Sequence, residues 1–393
     1  MPIRFLTAGE SHGPAMTAIL EGIPAGIALC AEDINIDLAR RQITLGAGGR
    51  MRIEQDSVEI LSGVMAGKTT GAPLTLMVIN RDHGKWQGKD VAAYTTPRPG
   101  HADLNGVLKY GYNDIRPVLE RASARETVSR VAIGAVCRKF LAELGVQIGG
   151  YVIAIGTASA NLENMTLTER LTRARADDTQ CPDPVAAEAI RAQIAAIMQA
   201  RDTLGGIIEV AALGLPVGLG SHVQADRRLD ARIAAAIMSV QAIKGVEIGD
   251  AFENSHLPGT RAHDPIYREG DNLVRTTNRA GGLEGGMTNG MPLLLRAAMK
   301  PIATTLTPQP TVDLASGLPT QTDYERSDFC PVPRAVVILE AVLAVVLADA
   351  MLEKLGGDSL DEIRPRLAQL RQARLTDAQL DGRPQRWWEK ADD

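Results

Sequence analysis

Aromatic side chains make up only 3% of the chain, which leaves little material for a base-stacking, nucleic-acid-binding surface. Excess positive charge is also missing. The formal net charge is −5 at pH 7, so any anionic ligand must be met by a local group of arginines rather than by an overall basic field. The four cysteines, Cys30, Cys137, Cys181 and Cys330, lie far apart without a CxxC, which argues against a zinc site or a disulfide scaffold and suits a reducing compartment. An apolar leader is lacking too, because MPIRFLTAGESHG has a charge but no hydrophobic segment; a cytoplasmic protein is expected. The one membrane-like run, Ala335 to Leu347, is short and carries Glu340, so it reads as a buried or interface helix.

What is present is enough apolar residue to build a large core: 393 residues, 45% hydrophobic and 23% charged, suit one big domain or two. Strand-like segments run over Ile3 to Thr7, Met16 to Glu21, Val58 to Leu61, Leu74 to Ile79, Tyr151 to Ile155, Ile207 to Leu215 and Leu293 to Ala298. Helical spacing marks Asp33 to Arg41, Val128 to Leu144, Leu229 to Val240 and Arg334 to Leu355. Asp183-Pro184 opens a further helix over Val185 to Ala200, with the acid as cap and the proline in the first turn. Neither repeats nor linkers divide the chain, and the alternation of elements predicts an α+β or α/β architecture in a single domain. The last segment, Ser359 to Asp393, is charged, helix-like at first, and ends in a tail expected to be mobile.

The stretch Arg98 to Glu126 holds one histidine and four arginines among turn residues, ahead of a helix. Pro97, Pro99 and Gly100 put Arg98 and His101 on a rigid turn, where side chains commonly face a cleft. Ser123 falls near a helix N-terminus, whose free N–H groups and dipole favour anions. An ordinary capped helix with surface arginines has the same composition. Near the start, Gly9-Glu10-Ser11-His12-Gly13 places a histidine between small residues, with Ser11 beside it to pass a proton; a polar loop tip would look alike. Gly46 to Arg50 is a glycine-rich loop able to present N–H groups to phosphate, or a plain surface loop. Ser62 to Thr69 imitates a P-loop around Lys68, but Ser62 replaces the first glycine and Gly71 and Pro73 stop the helix that must follow, so a P-loop phosphotransferase is rejected. Asn278 to Gly290 has five glycines in thirteen residues, which predicts either successive turns or backbone lying against a planar ligand.

Taken together, the chain resembles the chorismate synthase family over nearly its whole length. The resemblance rests on Leu6 to Gly13, Arg98 to Asp103, Glu120 to Glu126, Lys244 to Glu247, Gly281 to Gly286 and Arg326-Ser327-Asp328, in the family's order. It implies an α+β fold, a β-α-β sandwich of two antiparallel sheets with helices between, in one domain that assembles as a homotetramer. Residues 1–358 would form the catalytic domain, and 359–393 the charged helix and tail. It implies the anti 1,4-elimination of phosphate from 5-enolpyruvylshikimate 3-phosphate, giving chorismate, with reduced FMN required although no net redox change occurs.

By the same resemblance, Arg41, Arg50, Arg98, Arg125 and Arg326 would bind substrate. The flavin would lie against Arg121, Ala122, Ser123, Gln241, Ala242, Gly285, Lys300, Pro301, Ile302, Ala303, Thr304 and Arg326. Planar guanidinium groups suit a substrate with two carboxylates and a phosphate. His12 would protonate the departing phosphate, His101 would keep the reduced flavin protonated, Asp328 would assist removal of the C6 proton, and Ser11 and Ser123 would relay protons. Histidine has the right unperturbed pKa, about 6.5, for that work. His83, His222, His256 and His263 are expected to be structural. One departure stands out: where the family usually has Gly-Tyr-Gly-Arg after the paired arginines, this chain reads Thr44-Leu45-Gly46-Ala47. A lost charge-assisted bond costs about 1.5 to 3 kcal/mol unless Arg50 or Arg52 replaces it. A flavin-binding relative with impaired turnover is therefore the alternative reading. With no added reductase domain in view, flavin reduction is expected from outside rather than by the chain's own use of NADPH.

Overall fold

The computed structural model describes residues 2–42, 45–46, 56–323 and 328–384. Strand formation follows the alternation of side chains. Met16, Ala18 and Leu20 enter the core from Ala15–Glu21, as do Leu74, Leu76 and Val78 from Leu74–Ile79, while the residues between them are more exposed. These two strands pair antiparallel, and with Arg4–Ala8 (β1) and Val58–Ser62 they form a four-stranded sheet with Ala15–Glu21 and Leu74–Ile79 at its centre. Five more strands make a second antiparallel sheet, in the order Ile243–Ile248, Leu293–Met299, Gly206–Leu213, Gln147–Ile155 and Ala158–Ser159.

Helices join the two sheets. Thr127–Glu143 packs on the first sheet, and Val332–Leu355 packs on Gln147–Ile155 and Gly206–Leu213 of the second; the two helices also pack on each other. Their approach is close because Gly134 has no side chain: a Cβ built there would lie 2.4 Å from Ala341 Cα. Val332–Leu355 is long and apolar enough to cross a membrane by length and composition, yet it is buried on nearly every face within this fold. Its acid, Glu340, is accommodated because Arg40 donates to both oxygens at 2.7 and 3.0 Å, Arg138 donates at 3.2 Å and the Gly150 N–H at 2.9 Å. One contiguous core runs from Met16 to Ile363, so Leu360 and Ile363 of the helix Leu360–Ala368 belong to it.

The imitation P-loop is a hairpin, Val64–Met65 against Lys68–Thr69, turning through Ala66 and Gly67 at φ 49° and 74°. The glycine-rich strip makes a tight hairpin, Leu283–Glu284 against Met287–Thr288, with Gly285 and Gly286 at φ 58° and 82°. Asp183 caps its helix by accepting from the Val185 N–H, as its sequence predicts. The stretch from Arg98 differs more. It contains two helices that its turn-rich composition hides, Asp103–Tyr110 and Arg116–Ala122, which enclose a small separate cluster of Tyr94, Ile115 and Leu119 with Val107. All four cysteines are free thiols.

Candidate functional site

The loop after β1 carries His12, and the helix Arg116–Ala122 carries the acid that holds it. Glu120 Oε1 meets His12 Nδ1 at 2.7 Å, and its Oε2 accepts the His12 backbone N–H, also at 2.7 Å. This two-point grip fixes the imidazole and assigns Nδ1 as the buried donor, leaving Nε2 for proton exchange. Trp86 lies against the ring at 4.7 Å between centroids. His83, expected to be merely structural, contacts the His12 carbonyl through Nδ1 at 2.9 Å, so it braces the same loop. Ser11 is buried, and Ser123 Oγ donates to its Oγ at 3.2 Å. Ser123 ends one helix and caps the short turn that leads into Thr127–Glu143 by accepting from the Arg125 N–H.

That turn delivers Arg125 to a buried charge cluster. Asp56 bridges two guanidinium groups, Arg125 Nη1 at 2.6 Å and Arg41 Nη1 at 3.3 Å. Arg125 also donates through Nε to Asn80 at 2.8 Å, while Asn80 Nδ2 donates to the Glu10 and Gly13 carbonyls and so ties the cluster to the His12 loop. Arg41 completes its set on Thr127 Oγ1 and the Ala124 carbonyl. Asp328 and Arg334 belong to the same neighbourhood, paired at 2.7 Å. Burial pulls Arg41 well below the usual arginine range; Asp56 opposes this, and the Arg334 and Arg125 guanidiniums add to it. Among the described residues, Arg41, Arg125 and Arg334 stand with Asp56 and Asp328 in this cluster. Asp56 and Asn80 escaped the sequence reading because their partners are 15 to 70 residues away and no local pattern marks them.

The second histidine sits on the Arg98 turn, which Gly100 makes at φ 73°. Asp103 organises it: its Oδ2 accepts from the Arg98 backbone N–H at 3.0 Å and from Nε at 2.8 Å, and its Oδ1 accepts from Arg98 Nη2 at 3.0 Å and pairs with His101 Nδ1. Burial alone would raise the Asp103 carboxyl, but His101 and Arg98 outweigh it and hold it well below the usual carboxylate range. Arg98 Nη1 reaches Thr304 Oγ1 at 2.9 Å, so the turn is fastened to the segment Lys300 to Thr304. A Cβ on Gly100 would lie 3.6 Å from Lys300 Nζ and 3.9 Å from Ala303 Cβ.

Most of the expected flavin residues share one neighbourhood. Lys300 N–H donates to the Ala242 carbonyl, and the Ile302 carbonyl accepts from Thr203. Gln241 Nε2 donates to Glu126, which also accepts from Thr7, which in turn accepts from Arg121. Ala122 is half-buried between Arg121 and Ser123, and Pro301 is exposed beside Lys300. Gly285 stands apart: no hydrogen bond among the described residues links its hairpin to Arg121, Gln241 or Lys300. Arg50, Ala47 and Arg326 lie outside the described residues.

The chemistry of this neighbourhood fits FMN. Gln241 Oε1 is buried with no hydrogen-bond partner among the described residues, an acceptor suited to a ring N–H. Ala242 adopts φ 66°, a conformation that a non-glycine residue takes only under local constraint. Burial, and after it the Lys244 ammonium, pull Lys300 below the usual lysine value, and a phosphate would relieve that pressure.

A buried arginine cluster tied through Asn80 to the loop of a carboxylate-held imidazole, with a second such imidazole on the Arg98 turn, suits an enzyme acting on a small anionic molecule. Comparisons with known proteins make this specific. The sequence profile of chorismate synthase matches residues 3–352. Chorismate synthases of Prosthecochloris aestuarii and Chlorobaculum tepidum are 53% and 52% identical to the chain, covering 93% and 94% of it and 96% and 98% of their own lengths. A crystal structure of chorismate synthase superposes with a TM-score of 0.77 at 44% identity, covering 94% of this chain and 97% of its own. The chain belongs to the chorismate synthase family.

Proposed function

We propose that the chain converts 5-enolpyruvylshikimate 3-phosphate to chorismate by anti 1,4-elimination of phosphate, a carbon–oxygen lyase step of the shikimate pathway in aromatic amino acid biosynthesis. The observation that carries this reading is the convergence of the Glu120-held His12, the Ser11–Ser123 pair and the Arg41–Asp56–Arg125 cluster from distant parts of the chain. Arg41 and Arg125, with Arg50 and Arg326 by family position, bind the carboxylates and phosphate; Arg98 contributes through the turn it holds with Asp103. His12 delivers a proton from Nε2 to the departing phosphate, and the Ser11–Ser123 pair relays its replacement. Asp328, paired with Arg334, would assist removal of the C6 proton.

Reduced FMN, when bound, supplies electron density that helps phosphate leave an allylic centre. Arg121, Ala122, Ser123, Gln241, Ala242 and Lys300 to Thr304 would hold it, and His101, fixed by Asp103, would control the proton at its edge. Gly285 and Arg326 join this set by family position. We further read the layering as a β-α-β sandwich with 1–358 as the catalytic domain and 359–393 as an appended helix and tail. The working form is a cytoplasmic homotetramer whose flavin is reduced by an external donor rather than by its own NADPH oxidation.

Phosphate release from the substrate, measured anaerobically with chemically reduced FMN for the native chain and for Ala47→Arg, tests this. Native turnover establishes the activity. Activity only in Ala47→Arg means an impaired relative, and silence in both overturns the assignment.

A further inference from the structure

Arg334 opens the long core helix, and only 6% of it is exposed. Its Nη1 pairs with Asp328 at 2.7 Å, but Nε and Nη2 have no hydrogen-bond partner among the described residues. Such a pair of buried, unmatched donors on a charged group is rare in a native fold and calls for an explanation. Arg41, in the same cluster, places all three of its nitrogens on partners.

The unmatched atoms are also a particular pair. Nε and Nη2 form the side edge of a guanidinium, whose two N–H bonds point the same way and match the two oxygens of a carboxylate or phosphate. This chain uses that edge elsewhere: Arg98 grips Asp103 with it at 2.8 and 3.0 Å, and Arg275 grips Glu284 at 2.9 and 2.7 Å. Charge agrees with geometry. The pairing with Asp328 uses Nη1 alone, so the side edge of this buried cation meets no anion among the described residues.

We propose that Arg334 is a substrate ligand, its Nε and Nη2 edge taking two oxygens of one anionic group of the substrate. The inference rests on the proposed chorismate synthase reading. Its sequence context gave no hint, because an arginine at the entrance of an apolar helix looks like a solubilising end residue.

Calorimetric titration of 5-enolpyruvylshikimate 3-phosphate into protein loaded with oxidised FMN tests the proposal without requiring turnover. Native protein, Arg334→Lys and Arg334→Met are compared, with FMN affinity and Tm recorded for each. Lysine keeps the charge and the pairing with Asp328 but lacks the two-point edge. The expected result is substrate affinity weaker by about tenfold or more in both variants, with FMN affinity unchanged. A KM raised to match in the turnover assay supports the same conclusion. Native-like affinity in Arg334→Lys overturns the proposal and leaves Arg334 as a mere anchor for Asp328. Absence of binding by the native protein overturns the functional reading itself.

Discussion

Replacing Glu120 by glutamine tests how the structure prepares His12. The side chain keeps its size, but a carboxylate offers two acceptor oxygens and an amide only one. His12 uses both oxygens, through its backbone N–H and through Nδ1, each at 2.7 Å. One of the two bonds must therefore be lost or reversed in direction. If the backbone keeps the carbonyl oxygen, the amide NH2 faces Nδ1 and favours the tautomer with its proton on Nε2; if the ring keeps it, the loop loses its anchor. Either way a charge-assisted bond disappears, and such bonds contribute about 1.5 to 3 kcal/mol. Felt at the protonation step, that is a fall in kcat of about 10- to 150-fold. The assay is anaerobic phosphate release with chemically reduced FMN, alongside the KM for substrate and Tm. The expected pattern is a lower kcat with nearly unchanged KM. A native kcat in a folded Glu120→Gln protein would refute the argument that this carboxylate sets the histidine.

Two further perturbations address the fold and the flavin pocket. Gly134→Ala forces a Cβ to within 2.4 Å of Ala341 Cα and 2.6 Å of its carbonyl oxygen, so it should lower stability by about 1 to 3 kcal/mol, read as a drop in Tm or in denaturant midpoint; an unchanged midpoint refutes the close packing of the two helices. Lys300 has a depressed pKa in the free protein, so it loses its proton below the ordinary value of 10.5, and FMN affinity should fall as pH rises through that lowered value. Fluorescence titration of oxidised FMN should show Lys300→Arg holding affinity to higher pH, and coincident profiles for the two proteins refute a phosphate contact at Lys300.

The sequence by itself determined the local elements and the chemical vocabulary of the site. Period-two alternation in Ala15–Glu21 and Leu74–Ile79, helical spacing in Thr127–Glu143 and the Asp183-Pro184 start are properties of neighbouring residues, and each is found where the pattern puts it. The same holds for the failed P-loop, whose proline and glycines stop a helix by backbone sterics alone. Family motifs named His12, His101, Arg41 and Arg125 as candidate site residues. Tertiary structure decided what those groups touch. Glu120 on His12, Asp56 between two arginines and the unmatched edge of Arg334 all depend on distances set by packing. Two helices within Arg98 to Glu126 likewise form because Val107, Ile115 and Leu119 find a shared apolar cluster with Tyr94, which no short window can show. A side chain's type is written in the chain, but its partner, its burial and hence its charge state come from residues far along the chain that the fold brings beside it.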